Sequence, residues 1–455
     1  METAAAPSAG STIQKPGLLI NRNFALLWSG QAISMIGDWL FDSTLIIWIA
    51  AVLARNQPWA PIAVSGVLVA TSLPFFLVGP FAGVFVDRWD KRQTTLYMDA
   101  TRSVLILLLL IISGGITVPF LAHDRLPLGW QLGAIYTAVF LTNICAQFFR
   151  PAQIALLGDI VPEPYRVRAS GLSEMTANFA LVIGPSLAAP LFFAFGIQWA
   201  LLVDALSFVV SFVTLFAIQP PPAARSVEES SRAHFLSEFI QGIRFYFSNR
   251  ILTTILISFV VVMLGAGAFN ALAIFFITDN LHADPAWYGP AVAFVGLGII
   301  GGALLGTALA KSVGMTRLFW MSLLVLGVSV LVLARQTTLV AGMILYFVFG
   351  MAQGPGNVVI TPLVLHVTPR ELVGRVTAVM EPAITLASVV SMVVVGALDS
   401  TVLAGFHTTL LGIDFGPVDT IYTIMALLTI VAGVYAMLRL RGVRVEPEQA
   451  TEETE

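Results

Sequence analysis

Apolar runs long enough to cross a bilayer dominate this sequence. About 20 apolar residues form a helix that spans the hydrocarbon core of a membrane. Only 11% of the 455 residues are charged and the mean hydropathy is +0.89, which leaves too little charge to cover a water-soluble globule. The sequence therefore predicts an all-α membrane protein with twelve transmembrane helices, at residues 24–54, 62–86, 94–116, 131–158, 170–196, 198–218, 251–279, 288–310, 317–334, 339–364, 373–399 and 419–440.

The positions of Lys and Arg predict the orientation of these spans. Only Arg55, Arg125 and Arg335 fall in loops on the side opposite the N-terminus, and Arg102 and Arg150 lie within spans. The remaining 18 of the 23 basic residues lie on the side of both termini. Because loops rich in Lys and Arg stay in the cytoplasm, we expect a multi-pass protein of the cell membrane with both termini cytoplasmic.

The longest connection between spans divides the chain into two six-helix halves. We expect a disordered cytoplasmic tail over 1–22, a helix bundle over 23–218, a cytoplasmic linker with an amphipathic helix over 219–250, a second bundle over 251–440 and an acidic cytoplasmic tail over 441–455. The halves repeat weakly, since an offset of 207 residues aligns Glu174 with Glu381. Such symmetry is typical of secondary transporters whose site lies between the halves.

Four carboxylates interrupt the apolar runs. Asp38 and Asp42 lie four residues apart on one face of the first span, Glu174 lies in the fifth and Glu381 in the eleventh. An ionisable side chain at membrane depth is costly and marks a functional site. A carboxylate in a partly dry cavity can bind and release a proton near neutral pH, so we expect proton coupling or substrate contact. The alternatives are permanent pairing with a neighbouring hydroxyl or amide, or a local interaction with the helix dipole.

The turn between the second and third spans carries a compact charged motif. Gly83 allows close helix approach, and the cations hold the turn at the cytoplasmic face. Asp87 can pair with an Arg or cap a helix, and these contacts can break and re-form as the halves rock. The alternative is a basic loop that only fixes the topology. The residues expected to form this gating loop are Gly83, Asp87, Arg88, Lys91 and Arg92.

Two further spans contain candidate site residues. Arg150, near the end of the fourth span, is expected to form a gate ion pair with Asp159 or Asp87, with substrate contact as the alternative. In the fifth span, Gly171, Gly184 and Pro185 belong to a face of small residues that lets this helix pack against its counterpart in the other half, with Pro185 bending it. We interpret Asp99 and Arg102 as an internal ion pair and Asp204 as structural, outside the transport site.

These motifs resemble those of the major facilitator superfamily. Its loop 2–3 signature is Gly-x-x-x-Asp-Arg with trailing basic residues. The fifth span is similar to the motif Gly-x8-Gly-x3-Gly-Pro-x2-Gly-Gly of drug/proton antiporters, with three glycines replaced by alanine. The stretches from Asn21–Phe24 to Gly37-Asp38 and from Phe149–Ala152 to Asp159–Pro162 resemble the macrolide-efflux and enterobactin (siderophore)-exporter branch. The resemblance covers residues 20–440 and implies two pseudo-symmetric six-helix bundles, the major facilitator fold.

The resemblance also implies a function. We expect a secondary active transporter that exports a small amphipathic compound (drug, macrolide-like or siderophore-like) against inward proton flow. An uptake symporter or a lipid or lysolipid transporter of the same fold is the first alternative, and a membrane-embedded enzyme or sensor the second. The expected partners are a small-molecule substrate, protons and the lipid bilayer, and a monomer is expected.

Other classes of activity lack a signature in the sequence. No basic block predicts nucleic-acid binding. No nucleophile–base constellation, phosphate-binding glycine loop or His/Cys cluster occurs, so we expect no enzymatic activity, cofactor or metal. Several polar and aromatic residues are candidates for the lining of a substrate cavity: Trp39, Phe75, Phe76, Asn178, Asn270, Gln353 and Asn357.

Overall fold

A computed structural model describes residues 19–114, 127–219, 244–369, 372–406, 408–410 and 413–442. Within these ranges, twelve helices are long and apolar enough to cross a membrane, which confirms the predicted number of spans. Most of the two predicted tails, and most of the predicted linker with its amphipathic helix, lie outside the described residues.

The first half of the chain forms six spans. The second span is divided into α2 and α3 at Val78, where Pro80 near the start of α3 has no N–H to continue the helical hydrogen bonds. The helices of this half are α1 (Arg22–Trp48), α2 (Ala60–Leu77), α3 (Gly79–Val86), α4 (Lys91–Ile112), α5 (Leu128–Ile160), α6 (Arg166–Phe195) and α7 (Ile197–Phe216).

The second half forms the other six spans. Its helices are α8 (Arg250–Phe275), α9 (Tyr288–Val313), α10 (Met315–Leu333), α11 (Leu339–Val367), α12 (Val373–Ala397) and α13 (Pro417–Arg439). A short antiparallel hairpin, Thr408–Leu410 with Ile413–Phe415, precedes α13.

The same packing pattern occurs in both halves. The first span contacts the fifth and sixth spans of its half, as α1 with α6 and α7 and as α8 with α12 and α13. The third span contacts the fourth and sixth, as α4 with α5 and α7 and as α10 with α11 and α13. Glu174 and Glu381, which the sequence repeat aligned, each occupy the ninth position of their helix. These observations confirm two pseudo-symmetric bundles.

Side chains cap three helices at the end of the bundle that carries the first and last described residues, here called the termini end. The carboxamide oxygen of Asn21 accepts the N–H of Phe24 at 2.8 Å, and a carboxylate oxygen of Asp90 accepts the N–H of Gln93 at 2.7 Å. Asn249 caps α8 in the same way. Each cap satisfies an N–H that has no partner within the first helical turn.

At the opposite end, here called the far end, three spans finish in a π-helical turn. These turns are Ile49–Leu53 after α1, Phe276–Asn280 after α8 and Leu398–Val402 after α12. Each closes with a hydrogen bond between residues five apart, such as the N–H of Ala54 donating to the carbonyl of Ile49 at 2.7 Å. Since α1 and α8 are equivalent first spans, the halves share this feature.

The two halves touch through α6 with α9 and through α2 with α12. The close inter-half contacts that involve glycine lie toward the far end, whereas Glu174 and Glu381, nearer the termini end, are exposed. The space between the halves therefore opens toward the termini end. The far-end contacts join Gly289 with Pro185, Gly296 with Val182, Gly396 with Ser65 and Ile62 with Ser400.

Candidate functional site

Two cavities meet beside the middle of α1. The first, here called the N-half cavity, has a volume of about 510 Å³ and is enclosed by α1, α4, α5, α6 and α7. The second, the interhalf cavity, has a volume of about 370 Å³ and lies between α1, α2 and α6 on one side and α8, α9, α11 and α12 on the other. Trp39, Asp42 and Leu181 line both cavities, so the two adjoin beside α1.

The charges around these cavities are distributed unequally. Among the residues that line the interhalf cavity, Asp42 alone is charged. The second half contributes mainly aromatic and aliphatic side chains to that cavity. The N-half cavity, by contrast, is lined by six charged residues: Asp38, Asp42, Arg102, Arg150, Glu174 and Asp204.

An ion pair between Asp38 and Arg102 lies in the wall of the N-half cavity. Nη2 of Arg102 is 3.3 Å from Oδ1 and 3.5 Å from Oδ2 of Asp38. The Arg102 side chain is 10% exposed, whereas that of Asp38 is 37% exposed. The guanidinium also lies over the ring of Phe208, 4.4 Å from its centroid. Asp38 is therefore the partner that the cavity can reach, and Arg102 is held behind it.

This pair corrects our interpretation of Arg102. The expected internal pair with Asp99 is not formed, since neither carboxylate oxygen of Asp99 has a hydrogen-bond partner among the described residues. The long Arg102 side chain crosses to α1 instead. Thr95, Asp99, Arg102 and Ser103 are all buried at helical spacing on α4. This polar face was the signal in the sequence that α4 contributes to the interior of its half.

The second half presents an aromatic wall to the interhalf cavity. The rings of Phe269 and Phe349 are stacked, with centroids 4.3 Å apart, and Tyr422 stacks on Phe269 at 5.5 Å. Of the seven residues that we expected in a cavity lining, Phe75, Phe76 and Asn357 are not among the residues lining either cavity. The other four do line them: Trp39, Asn178, Asn270 and Gln353.

The structure brings three of the four predicted membrane carboxylates together. Asp38, Asp42 and Glu174 all line the N-half cavity. Glu381 is exposed on α12 and is not among the lining residues of either cavity. It shares a helix face with Met392, about three turns further along α12, which lines the interhalf cavity.

The gating loop is tied to its own half in this conformation. Nζ of Lys91 is 3.0 Å from Oδ2 of Asp159, and Nε of Arg92 donates to the carbonyl of Leu215 at 3.2 Å. These contacts fix the start of α4 to the ends of α5 and α7. Asp87 and Arg88 are exposed in the turn, and Asp90 rather than Asp87 provides the helix cap.

Two geometric expectations for this region are not met. Arg150 and Asp159 do not pair, because they lie on the same helix nine residues, or about 13 Å, apart. Arg150 faces the N-half cavity and has no ion pair within 4.0 Å among the described residues. Among the described residues, no atom lies within 4 Å of a Cβ placed on Gly83, so the expected close helix approach is not seen in this part of the structure.

The small-residue face of α6 is used differently from our prediction. An ideal Cβ on Gly184 would lie 2.5 Å from the Cβ of Trp39, so this glycine packs α6 against α1 of its own half. The contact across the halves is instead made by Pro185, whose carbonyl meets Gly289 at the start of α9. No atom lies within 4 Å of a Cβ on Gly171.

Comparisons with known proteins agree with this architecture. The family model for the Major Facilitator Superfamily matches residues 27–392 and 255–455. The chain is 26% identical to the multidrug efflux pump Tap of Mycobacterium tuberculosis, over 76% of this chain and 80% of that protein. It is 23% identical to macrolide efflux protein A of Streptococcus pyogenes, over 62% and 66% of the two chains.

A solved structure supports the same fold. The crystal structure of a bacterial homologue of the iron transporter ferroportin, in an inward-facing state, superposes with a TM-score of 0.67 at 14% identity. The match covers 92% of this chain and 98% of that one. The resemblance predicted from the loop 2–3 motif and the fifth span is confirmed, and the chain belongs to the major facilitator superfamily of transporters.

Proposed function

We propose that this transporter exports a small amphipathic compound, such as a drug, a macrolide-like or a siderophore-like molecule, in exchange for inward-moving protons. The termini end is the cytoplasmic end, because 18 of the 23 basic residues lie on that side. The conformation described above is then open to the cytoplasm and sealed toward the outside. The membrane is the cell membrane.

The two cavities suit an amphipathic substrate. Their volumes of about 510 and 370 Å³ lie in the range of small-molecule sites. The apolar part of a substrate would lie against Phe269 and Phe349, and its polar part near Asp42, which is shared by both cavities. The efflux functions in the names of Tap and macrolide efflux protein A favour export over uptake.

The observation that carries the coupling proposal is the half-exposed Asp38 carboxylate paired with the buried Arg102 guanidinium. A proton that binds Asp38 removes its charge and with it the attraction to Arg102. Leaving a buried cation without its partner costs about 3–5 kcal/mol, and less where solvent reaches the pair, as it does at Asp38. A bias of this order shifts an equilibrium between two conformations. Glu174 and Glu381 are further candidate proton carriers, and Lys91, Arg92, Asp87 and Arg88 are candidate parts of the cytoplasmic gate.

The test uses purified protein in liposomes with radiolabelled erythromycin, a macrolide, and ethidium, a cationic dye, as probes. We expect transport of a probe only when a pH gradient is present, together with proton movement in the opposite direction. Asp38→Asn should abolish gradient-driven transport. Asp419→Asn, which removes a buried carboxylate paired with Arg335 outside both cavities, is the matched control and should transport as wild type.

Two results would contradict the proposal. Probe movement that ignores the pH gradient would exclude proton coupling, and gradient-driven transport retained in Asp38→Asn would exclude Asp38 as its carrier. The direction is measured separately, in inverted and right-side-out vesicles. Uptake into right-side-out vesicles driven by an inward proton gradient would instead identify a symporter.

A further inference from the structure

The guanidinium of Arg102 is bonded on one side only. Nη2 contacts Asp38, while the buried Nε has no hydrogen-bond acceptor among the described residues. The group lies between the rings of Phe208 and Phe149, whose centroids are 4.4 and 6.0 Å from Cζ. Flat aromatic faces attract a guanidinium without fixing its direction. Arg102 is thus enclosed but can rotate toward another acceptor.

Two carboxylates lie deeper in the same half, and each has an oxygen that accepts no hydrogen bond within 3.5 Å among the described residues. Asp99, on α4, is 0% exposed, and neither of its carboxylate oxygens has a partner. Asp204, on α7, is 1% exposed, and its Oδ1 has no partner. A Cβ on Gly37 would lie 2.8 Å from that oxygen, which places Asp204 against α1 beside Asp38. Buried carboxylate oxygens without donors are rare because leaving them unpaired is costly.

Both carboxylates interact electrostatically with Arg102, as does Asp38. One guanidinium therefore interacts with three buried or half-buried acids, and among the described residues it donates hydrogen bonds to Asp38 but to neither Asp99 nor Asp204. The other titratable or charged groups that surround the cluster are Asp42 on α1, Cys145 and Arg150 on α5, and Glu174 on α6. Of these, only Arg150 is a second cation, and it lies near the mouth of the cavity.

We infer that Arg102 is a positioning residue that exchanges between two acceptors, Asp38 in one step of the cycle and the Asp99–Asp204 pair in the other. The inference rests on the proposed proton coupling. A proton arriving from outside binds a carboxylate oxygen of Asp38, and the released guanidinium bonds to Asp99 and Asp204. When the proton leaves Asp38 to the cytoplasm, the guanidinium returns. Arg102 keeps its own proton throughout.

The decisive experiment locates the guanidinium when Asp38 can carry no charge. The structure of Asp38→Asn is determined by cryo-electron microscopy in lipid nanodiscs, with wild type prepared in the same way. We expect an Arg102 nitrogen about 3 Å from an oxygen of Asp99 or Asp204 in the variant, and contact with Asp38 in wild type at alkaline pH. The matched control is Asp42→Asn, one turn along α1, which should leave the guanidinium on Asp38.

A transport measurement provides a second, independent readout. Asp99→Asn/Asp204→Asn should reduce gradient-driven probe transport by at least about tenfold. Replacing Asp204 by Glu instead of Asn keeps a carboxylate acceptor at this position, so Asp99→Asn/Asp204→Glu should recover most of the transport that Asp99→Asn/Asp204→Asn loses. The single variants Asp99→Asn and Asp204→Asn, each expected to lose part of the transport, replace the double variant if it does not yield monodisperse protein.

The outcomes separate this inference from the proposed function. A guanidinium that stays beside residue 38 in Asp38→Asn, with Asp99 and Asp204 still without partners, would overturn the exchange whether or not transport is proton-coupled. Wild-type transport that ignores the pH gradient would overturn the proposed function, and the movement of Arg102 would then lose its role in coupling. Full transport in the variants lacking Asp99 or Asp204 would also exclude these two as its acceptors.

Discussion

Replacing Gly289 by alanine should push the transporter out of the conformation described above. Gly289 stands at the start of α9, where its Cα faces the backbone of α6 across the seal between the halves. An added Cβ would overlap the carbonyl oxygen of Pro185 and lie 2.8 Å from the carbonyl carbon. Backbone atoms cannot rotate away as a side-chain tip can, so the two helices must separate at the far end.

The size of the effect follows from the cost of that overlap. Over-packing by one or a few methyl groups costs about 1–3 kcal/mol. The penalty applies only where α6 and α9 are in contact, so it is absent from a conformation in which the far end is open. The ratio of far-end-open to far-end-closed molecules should therefore rise by about 5- to 150-fold.

Distances between spin labels measure this ratio directly. One label pair, at Val52 and Val402, reports on the far end, and a second pair, at Val167 and Ser312, reports on the termini end; all four positions are exposed. Gly289→Ala should lengthen the first distance and shorten the second. Wild-type protein treated with the same label is the background control, because it carries only Cys145, the single cysteine of the sequence, which is buried.

A matched glycine substitution serves as the control. Gly133 lies on α5, where an added Cβ would meet no atom within 4 Å. Gly133→Ala should leave both distance distributions at their wild-type values. If Gly289→Ala gives the same distributions as Gly133→Ala, the contact with Pro185 does not hold the far end closed, and the reasoning fails.

Three further predictions concern the charged residues and the loop. Arg102→Gln should lower the free energy of unfolding by about 1–3 kcal/mol, because it removes the counter-charge of the partly exposed Asp38. Lys91→Ala, at an exposed pair, should cost less than about 1 kcal/mol, and equal shifts in thermal unfolding would contradict this difference. Asp42→Asn should weaken ethidium binding by about tenfold or more in a fluorescence titration, through loss of a charged contact, and unchanged affinity would exclude Asp42 from the substrate site. Gly83→Ala should stabilise the conformation described above, the opposite of the effect expected for Gly289→Ala. No described atom lies within 4 Å of the added Cβ in this conformation, so the Cβ would clash only in a conformation in which the loop packs closely. A longer far-end label distance in Gly83→Ala would refute this prediction.

The sequence was sufficient to predict the architecture. Twelve spans follow from the length of the apolar runs, since about 20 apolar residues match the bilayer core and a helix satisfies its backbone hydrogen bonds within one segment. The alignment of Glu174 with Glu381 also predicted that the fifth and eleventh spans are equivalent. Helical spacing placed Asp38 and Asp42 on one face, and both indeed face the N-half cavity.

The partners of the charged residues could not be predicted in the same way. A spacing of three residues made Asp99 the obvious partner of Arg102, but spacing says nothing about a neighbouring helix, and Asp38 on α1 proved closer. Arg150 and Asp159 show the opposite problem, because their helix runs unbroken through both and keeps them apart. The π-helical turns could not be predicted either, because the apolar pattern depends on the length and composition of a span. It carries no information on whether hydrogen bonds join residues four or five apart.

Those π-helical turns place one additional residue in a helical turn at the far end of three spans. A turn closed between residues five apart holds one residue more than an α-helical turn, and it can migrate along the helix by exchanging single hydrogen bonds without losing any. The far ends of α1, α8 and α12 can thus rotate and shift along the helix axis by up to one residue, about 100° and 1.5 Å. Their central segments, with Asp38 and Asp42, need not follow. Deleting one residue from 49–53 would convert this turn to an α-helical one, so that the far end of α1 could move only together with its central segment.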